Sequence, residues 1–197
     1  MRKIVLASAS PRRKQLLEEL NINFEVHKSN ADEIMDSQMH PSKLVMENAY
    51  RKASDIAKKF KKQDCVTIGS DTVVVFDSKV MGKPESKEDA FKMLSNLSNT
   101  THQVYSGISI VDCLNDNYII EYAVTDVTMW DFNEEIIRNY ISTGEPLDKA
   151  GSYGIQGKGR LLVKSINGCY FNVVGLPITL LAKSLINFNI NFFKGMK

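Results

Sequence analysis

The sequence is poor in the residues that define several protein classes. Among its 197 residues there are three cysteines, which lie far apart and form no Cys-x-x-Cys pair. This excludes a disulfide framework and a zinc site built on cysteine pairs, and it favours free, buried thiols in a reducing compartment. The histidines at 27, 40 and 102 have no metal-ligand spacing either. A net charge of +2 gives no basis for general binding of nucleic acid.

Long apolar runs are also missing. No run approaches the roughly 20 residues that a membrane helix needs, so we expect no membrane association. The N-terminal apolar run is interrupted by Ser8 and Pro11. It is therefore shorter than the apolar region of a signal peptide, which has roughly 7–15 residues. Composition alone excludes a transit peptide less easily, but a strand followed by a capped helix explains the same residues better. We therefore expect a mature, cytoplasmic protein.

Three motifs that would identify common enzyme classes are absent from the sequence. There is no Gly-x-x-x-x-Gly-Lys-Ser/Thr, and the glycines at 154, 157 and 159 are spaced wrongly for a dinucleotide fingerprint. There is also no Gly-x-Ser-x-Gly. These absences exclude a Walker-type phosphate loop, a Rossmann phosphate turn and the nucleophile elbow of serine hydrolases.

The composition that remains is that of an ordinary globular protein, with 43% hydrophobic and 24% charged residues. The length predicts a single domain over 1–197, with one or two lobes. Hydrophobic spacing predicts an α/β fold whose middle is strongly antiparallel. The predicted helices begin near residues 11, 41, 86, 133 and 177, and the predicted strands cover 3–7, 24–26, 65–69, 73–76, 104–111, 118–130, 161–166 and 169–174. The last two strands are predicted to form a hairpin around Asn167-Gly168.

The first strand turns into the first helix, predicted over Pro11–Leu20, across Ser8-Ala9-Ser10-Pro11-Arg12-Arg13. Ser10 suits the N-cap position, and Pro11 suits the first helical position, where an N–H is not needed. A helix N-terminus has unpaired N–H groups and a partial positive charge, so it attracts anions. We interpret this turn as a phosphate-binding site without glycine.

Two acidic positions could take part in catalysis. Asp71 is predicted to lie at the end of an apolar strand, where a carboxylate is typical of a metal ligand or general base, but equally of a turn. Asp32-Glu33 lies in a polar loop, where acidic pairs are more often simply solvated.

Lys83, between Gly82 and Pro84, could direct an ammonium at a phosphate, although Gly-Lys-Pro is also a common turn. Lys52 lies at the edge of the apolar face of a long helix and could merely snorkel. Gln156, in a glycine-rich stretch that could equally be a plain hairpin, offers a donor and an acceptor to a planar amide edge. Cations suited to a polyphosphate, together with acids suited to a divalent ion and an activated water, suggest hydrolysis of a phosphoanhydride.

Taken together, these segments resemble the Maf family of nucleotide pyrophosphatases, from residue 6 to about residue 181. The resemblance rests on the order and spacing of several short motifs. They are Ser8-Ala9-Ser10-Pro11-Arg12-Arg13, Asp32-Glu33, Ala49-x-x-Lys52-Ala53, Ser70-Asp71-Thr72, Gly82-Lys83-Pro84, Glu145-Pro146-Leu147-Asp148-Lys149-Ala150-Gly151, Gly154-Ile155-Gln156-Gly157 and Asn172-Val173-Val174-Gly175-Leu176-Pro177. The tail from about residue 187 lies outside the resemblance.

The resemblance implies an α/β fold like that of inosine triphosphate pyrophosphatases, a mixed sheet with two lobes flanking a deep cleft. It implies hydrolysis of a nucleoside triphosphate at the α–β bond, with a divalent cation (Mg²⁺, with Mn²⁺ or Co²⁺ as alternatives) and a homodimer. By the same resemblance the catalytic residues are Asp71 as general base, Glu33 and Lys83, with Glu33 and Asp71 holding the metal. The positions that handle phosphate are Ser8, Arg13, Lys52 and Lys83.

Three positions distinguish the substrate branches of the family, and here they are Arg12, Thr72 and Gln156. All three resemble the dTTP/UTP branch rather than the 7-methyl-GTP branch. The amide of Gln156 can pair with the O4/N3–H edge of uracil or thymine. The alternatives are a pyrophosphatase for another methylated or deaminated nucleotide, and a nucleotide-binding regulator of septum formation.

Overall fold

The computed structural model describes residues 2–36 and 38–193. It has the predicted mixture of helices and strands. The strands are β1 (Lys3–Leu6), β2 (Phe24–Val26), β3 (Cys65–Phe76), β4 (Lys79–Met81), β5 (Thr101–Asp112), β6 (Tyr118–Met129) and β7 (Val163–Asn167). The α-helices are α1 (Pro11–Glu18), α2 (Pro41–Ala57), α3 (Lys87–Leu97), α4 (Glu134–Ser142), α5 (Tyr170–Val174) and α6 (Ile178–Ile186), and short 3-10 turns cover Lys58–Phe60, Glu145–Asp148, Ala150–Ser152 and Gly157–Leu162.

The seven strands form one mixed sheet in the order β2-β1-β3-β5-β6-β7, with β4 paired to β3. β1 runs parallel to both of its neighbours, with Ile4 opposite Phe24 in β2 and Val66 in β3. The pairs β3–β4 and β6–β7 are antiparallel. The α/β class with a mixed sheet is therefore confirmed.

The chain divides into two compact units. Unit 1 comprises Met1–Asp71, Ser106–Ala123 and Gly175–Lys197, and unit 2 comprises Thr72–Tyr105 and Val124–Val174. Each unit has its own apolar core. In unit 1, Val5 and Ala7 pack with α2 residues such as Ile56, and in unit 2 the buried faces of α3 and α4 pack together.

The structure corrects two predictions about strands. Residues 65–69 and 73–76 belong to one twelve-residue strand, β3, so Asp71 lies inside a strand and not at its end. The predicted hairpin is wrong, because Tyr170–Val174 is helical. Thr125 Oγ1 accepts a hydrogen bond from the Cys169 N–H (3.0 Å) and donates one to the Cys169 carbonyl (3.1 Å). These two hydrogen bonds tie the residue before α5 to β6, 44 positions away in the sequence.

Helix boundaries follow the sequence signals more closely. Asn133 caps α4 by accepting from the Ile136 N–H at 3.1 Å, and Ser86 caps α3 by accepting from the Asp89 N–H at 3.0 Å. The first helix ends at Glu18, two residues earlier than predicted. Among the described residues, no helix is long and apolar enough to cross a membrane.

Candidate active site

Asp71 is the centre of the polar cluster in unit 1. It is 7% exposed, in the interior of β3. Its Oδ1 accepts a hydrogen bond from Lys52 Nζ at 2.7 Å, and its Oδ2 accepts one from Asn48 Nδ2 at 3.2 Å. Each oxygen still has a second lone pair, so this oriented carboxylate can accept a further proton.

Glu33 reaches the same cluster from the loop between β2 and α2. Its Oε1 lies 2.6 Å from Lys52 Nζ, and its side chain is 53% exposed. Asp55 on α2 holds the start of this loop by accepting from Ser29 Oγ (2.8 Å) and the Asn30 N–H (2.9 Å). These two hydrogen bonds lower the pKa of Asp55. One ammonium therefore links two carboxylates that lie 38 positions apart in the sequence.

Helix α2 presents Asn48 and Lys52 to Asp71 because they lie four residues apart, on one face of the helix. The helix lies very close to β3 at this point. A Cβ on Gly69 would come within 2.1 Å of the Ala49 carbonyl oxygen and 2.8 Å of the Ala53 backbone nitrogen. Only glycine allows this approach. The approach places Asn48 and Lys52 within hydrogen-bonding distance of the Asp71 carboxylate.

The turn between β1 and α1 has the predicted position, but its internal bonding differs from the prediction. Ser10 is the N-cap residue, yet its side chain accepts no capping hydrogen bond from the described part of the chain. Instead, the buried Ser8 Oγ accepts from the Ser10 N–H at 3.1 Å. Pro11 occupies the start of the helix, as predicted. The Ser8 hydroxyl therefore shapes the turn itself.

Arg13 is half-buried and anchors the turn to two other segments of unit 1. Its Nε donates to the Gly175 carbonyl at 2.8 Å, and its Nη1 donates to the Ser70 carbonyl at 2.9 Å. Burial lowers the pKa of Arg13, while the carboxylate of Asp71 opposes this shift and the charge of Arg12 adds to it. The cationic turn and the acidic cluster thus lie within electrostatic range of each other.

Three predicted site residues lie in unit 2. Thr72 directly follows Asp71 in β3 and is half-buried, as is Gln156, whereas Lys83 is exposed. The Gly82 carbonyl, next to Lys83, accepts from the Gly151 N–H at 3.0 Å. This hydrogen bond joins the Gly-Lys-Pro segment to the Lys-Ala-Gly segment of unit 2.

Glu145 organises the loop that follows Gln156. Its carboxylate accepts from the Tyr140 hydroxyl (3.0 Å), the Gly159 N–H (3.0 Å) and the Lys158 N–H (2.9 Å). Burial alone would raise the pKa of Glu145, but these three donors outweigh it and lower the pKa. Gly157 has a φ of +68°, and a Cβ there would lie 2.7 Å from Glu145 Oε2. The backbone after Gln156 is therefore wrapped around one carboxylate.

In unit 1, Lys52 thus joins Glu33 to Asp71. Arg13 contacts Ser8 and the carbonyl of Ser70, the residue before Asp71, and Arg12 precedes Arg13 in the sequence. Sequence reasoning missed Asn48 and the carbonyl of Gly175, which accepts from both Arg13 and Ser70 Oγ. The i, i+4 spacing of Asn48 and Lys52 was the available signal for Asn48. A backbone acceptor leaves no signal of its own in the sequence.

The carboxylates of unit 1 also bear on metal binding. Among the described residues, no group of three or more His, Cys, Asp or Glu could hold a metal ion. Glu33 and Asp71 nevertheless converge on one cation, the Lys52 ammonium. Mg²⁺ favours oxygen ligands and commonly takes one or two carboxylates, with water and substrate phosphates completing its shell. This donor set fits a metal that arrives with a polyphosphate.

Known proteins of one family are similar to this chain over most of its length. A family model described as Maf-like protein matches residues 3–188. A protein of Bacillus anthracis named dTTP/UTP pyrophosphatase is 47% identical over 191 residues, covering 97% of this chain and 98% of its own length. A Thermoanaerobacter protein of the same name is 50% identical over 177 residues, covering 90% and 92%. The solved Ham1 protein of Staphylococcus aureus has a TM-score of 0.46 and 17% identity, covering 65% and 72%, a likeness too low to bear on function.

Proposed function

This chain belongs to the Maf family, and we propose that it is a nucleoside triphosphate pyrophosphatase that hydrolyses dTTP and UTP to the monophosphate and pyrophosphate. The observation that carries the proposal is the convergence of Glu33 and Asp71 on Lys52, 2.6 and 2.7 Å away. A module that only bound nucleotide would need cations but not two acids. Relatives 47–50% identical that are named dTTP/UTP pyrophosphatase support the choice of substrate.

In the proposed reaction, Asp71 is the general base. A water molecule attacks the α-phosphorus and loses one proton to a free lone pair of the Asp71 carboxylate. The new P–O bond forms as the bond from the α-phosphorus to the bridging oxygen breaks, and pyrophosphate leaves with that oxygen. Lys52 and Asn48 hold the carboxylate in one orientation, so little reorganisation is needed for the proton transfer.

The cations of the chain are proposed to handle the phosphates. Ser8 and Arg13, at the N-terminus of α1, provide a hydroxyl and a guanidinium, and Lys52 and Lys83 provide ammonium groups. Preorganised donors of this kind stabilise the charge that develops on a departing phosphate. Arg13 is well suited to this role because its contacts to two backbone carbonyls hold its position.

A divalent cation, most simply Mg²⁺, is proposed to be held by Glu33 and Asp71. When bound, it would supply positive charge to the phosphates and lower the pKa of coordinated water. Binding would require Lys52 to share these two carboxylates or to move toward the phosphates, and both outcomes suit a lysine with a flexible stem.

We propose that Gln156 recognises the nucleobase of the substrate. Arg12 and Thr72 are the other positions that distinguish between nucleotides. A glutamine side chain offers one acceptor and two donors, which match the N3–H and O4 of uracil or thymine. Glutamate at this position would lack the donor and would favour bases that present N–H groups.

The decisive experiment is a panel of nucleotides read by Mg²⁺-dependent release of pyrophosphate from the purified protein. We expect dTTP and UTP to be hydrolysed fastest. A clear preference for 7-methyl-GTP would overturn the substrate assignment but keep the reaction. Absence of pyrophosphate release from every nucleotide would overturn the reaction and favour a binding role.

We also propose that the protein acts in the cytoplasm as a homodimer. The free thiols of Cys65, Cys113 and Cys169 suit a reducing compartment, and the dimer is proposed from the family resemblance. Sedimentation of the purified protein at several concentrations would test the dimer directly.

A further inference from the structure

Asn48 joins Asp71 to the loop that carries Glu33 through three side-chain hydrogen bonds. Its side chain is buried, with 3% exposure, on the face of α2 that carries Lys52. Nδ2 donates to Asp71 Oδ2 at 3.2 Å and to the Ile34 carbonyl at 3.1 Å. Oδ1 accepts from the Ile34 N–H at 2.8 Å. One amide therefore contacts the proposed general base and both backbone polar groups of the residue after Glu33.

We infer that Asn48 is a positioning residue for the proposed pyrophosphatase reaction, which holds Asp71 and the Glu33 loop in fixed relation to each other. The inference rests on the proposed function. Asn48 has no role in the family resemblance described above, and its part is assigned from its contacts alone.

The chemistry of the position favours an amide over other side chains. A buried polar group without partners costs about 1–3 kcal/mol, and here both N–H donors and the oxygen are used. Aspartate would retain the acceptor for the Ile34 N–H but would set a second carboxylate oxygen against Asp71. Leucine would fill similar volume but would satisfy none of the three partners. Of these side chains, only the amide can hydrogen-bond to both backbone groups of Ile34 and to the Asp71 carboxylate.

The arrangement constrains both proposed acids. Lys52 takes one oxygen of Asp71 and Asn48 takes the other, which sets the plane of the carboxylate. Glu33 lies between two anchors of its loop, the Asp55 contacts at residues 29 and 30 and the Asn48 contacts at Ile34. Partners that orient ligating or reacting groups in this way typically contribute about 10- to 100-fold to activity.

The test compares Asn48→Asp and Asn48→Leu with Thr67→Val as the matched control. Thr67 is buried and ties β3 to α2 through one hydrogen bond from Oγ1 to the Ala53 carbonyl at 2.9 Å. Its removal weakens the same helix–strand contact without touching Asp71 or the Glu33 loop. For each protein, kcat and KM for dTTP are measured, together with hydrogen exchange of the Ile34 amide and the melting temperature.

We expect Asn48→Asp to lower kcat about 10- to 100-fold while the Ile34 amide stays protected, because the acceptor remains. Asn48→Leu should lower kcat and also speed Ile34 exchange. Thr67→Val should lower the melting temperature and leave kcat within about twofold. If Asn48→Leu does not fold, the near-isosteric Asn48→Asp still decides the question.

Two outcomes would overturn the inference in distinguishable ways. If the wild-type protein releases pyrophosphate but Asn48→Asp keeps its kcat within about twofold, Asn48 only ties the loop to the helix, and the proposed activity stands. If the wild-type protein releases no pyrophosphate from any nucleotide, the proposed function fails and the role of Asn48 fails with it.

Discussion

Lys52 donates to Asp71 over 2.7 Å, and both side chains are nearly buried, with 12% and 10% exposure. The same ammonium lies 2.6 Å from Glu33, whose side chain is 53% exposed. The Lys52–Asp71 pair is therefore the desolvated part of the cluster, and Glu33 contributes from the solvent side. Removing a charge from a desolvated pair costs far more than removing one from the surface.

Replacing Lys52 by methionine keeps the length and apolar stem of the side chain but removes its charge. We expect Lys52→Met to lower the free energy of unfolding by about 3 kcal/mol, because Asp71 is left as a buried charge that keeps the hydrogen bond from Asn48 but loses its ion pair. Urea unfolding at neutral pH measures this change. The neighbouring Arg51→Met is the control, since its pair with Glu47 is about half exposed and should contribute less than about 0.5 kcal/mol. Equal losses in both variants would contradict the prediction.

Replacing Asp71 by asparagine separates binding from chemistry. The variant keeps an oxygen to accept from Lys52 but cannot act as a base, so kcat for dTTP should fall about 10²- to 10⁴-fold. Affinity for a non-hydrolysable dTTP analogue, measured by calorimetry without a divalent metal, should change little because the cationic side chains remain. Turnover near the wild-type rate in Asp71→Asn would rule out Asp71 as the base.

Replacing Gly69 by alanine tests how much the stability of the fold depends on the close approach of α2 to β3. A Cβ would lie 2.1 Å from the Ala49 carbonyl oxygen, so Gly69→Ala must push α2 away from β3. We expect a loss of about 3 kcal/mol or more in the free energy of unfolding, which is typical of severe overpacking. Gly82→Ala is the control, because no heavy atom of the described residues, its chain neighbours aside, lies within 4 Å of the added Cβ. Its stability should stay within about 0.5 kcal/mol of wild type.

His102 in unit 2 predicts a pH dependence of stability. It is 2% exposed, its Nε2 lies 2.7 Å from the Tyr153 hydroxyl, and burial lowers its pKa from 6.5 to about 4. Below pH 6.5 the unfolded chain gains a proton that the folded chain does not bind until about pH 4. Stability should therefore fall as the pH drops through this window, by up to about 3 kcal/mol from this group.

Urea unfolding between pH 4 and 7 measures the effect of His102. His102→Gln removes the titrating ring and keeps polar atoms near Tyr153, so this part of the decline should disappear. His27→Gln removes a histidine whose side chain is 40% exposed and should leave the decline in place. If stability declines equally in His102→Gln, titrating groups other than His102 cause the decline.

Much of the fold could be predicted because its signals are local. The helix starts near residues 86 and 133, the apolar face of α2 and the proline that begins α1 are properties of short segments, and the structure has them where they were expected. The failures share one cause. β3 continues through Gly69-Ser70-Asp71 in a sheet whose other strands come from distant segments. Cys169, the residue before α5, is hydrogen-bonded to Thr125, 44 positions away. Local patterns carry no information about such partners.

The candidate site divides in the same way. Residue identities alone show which groups are available: two acids, several cations and a turn at the start of α1 suited to an anion. They also identify the family, because the order and spacing of short motifs can be compared without knowledge of the structure. These properties depend only on the identity and spacing of residues along the chain, not on distances between atoms in the fold.

Three facts required the folded structure: Lys52 bridges Glu33 and Asp71, Asp71 lies inside a strand, and Asn48 hydrogen-bonds to Asp71 and to the backbone of Ile34, the residue after Glu33. The reason is physical. Gly69 lets the backbone of α2 approach β3 so closely that Asn48 and Lys52 on the helix reach a buried carboxylate. The distance between two such elements follows from the packing of the whole core, and no segment of the sequence contains it.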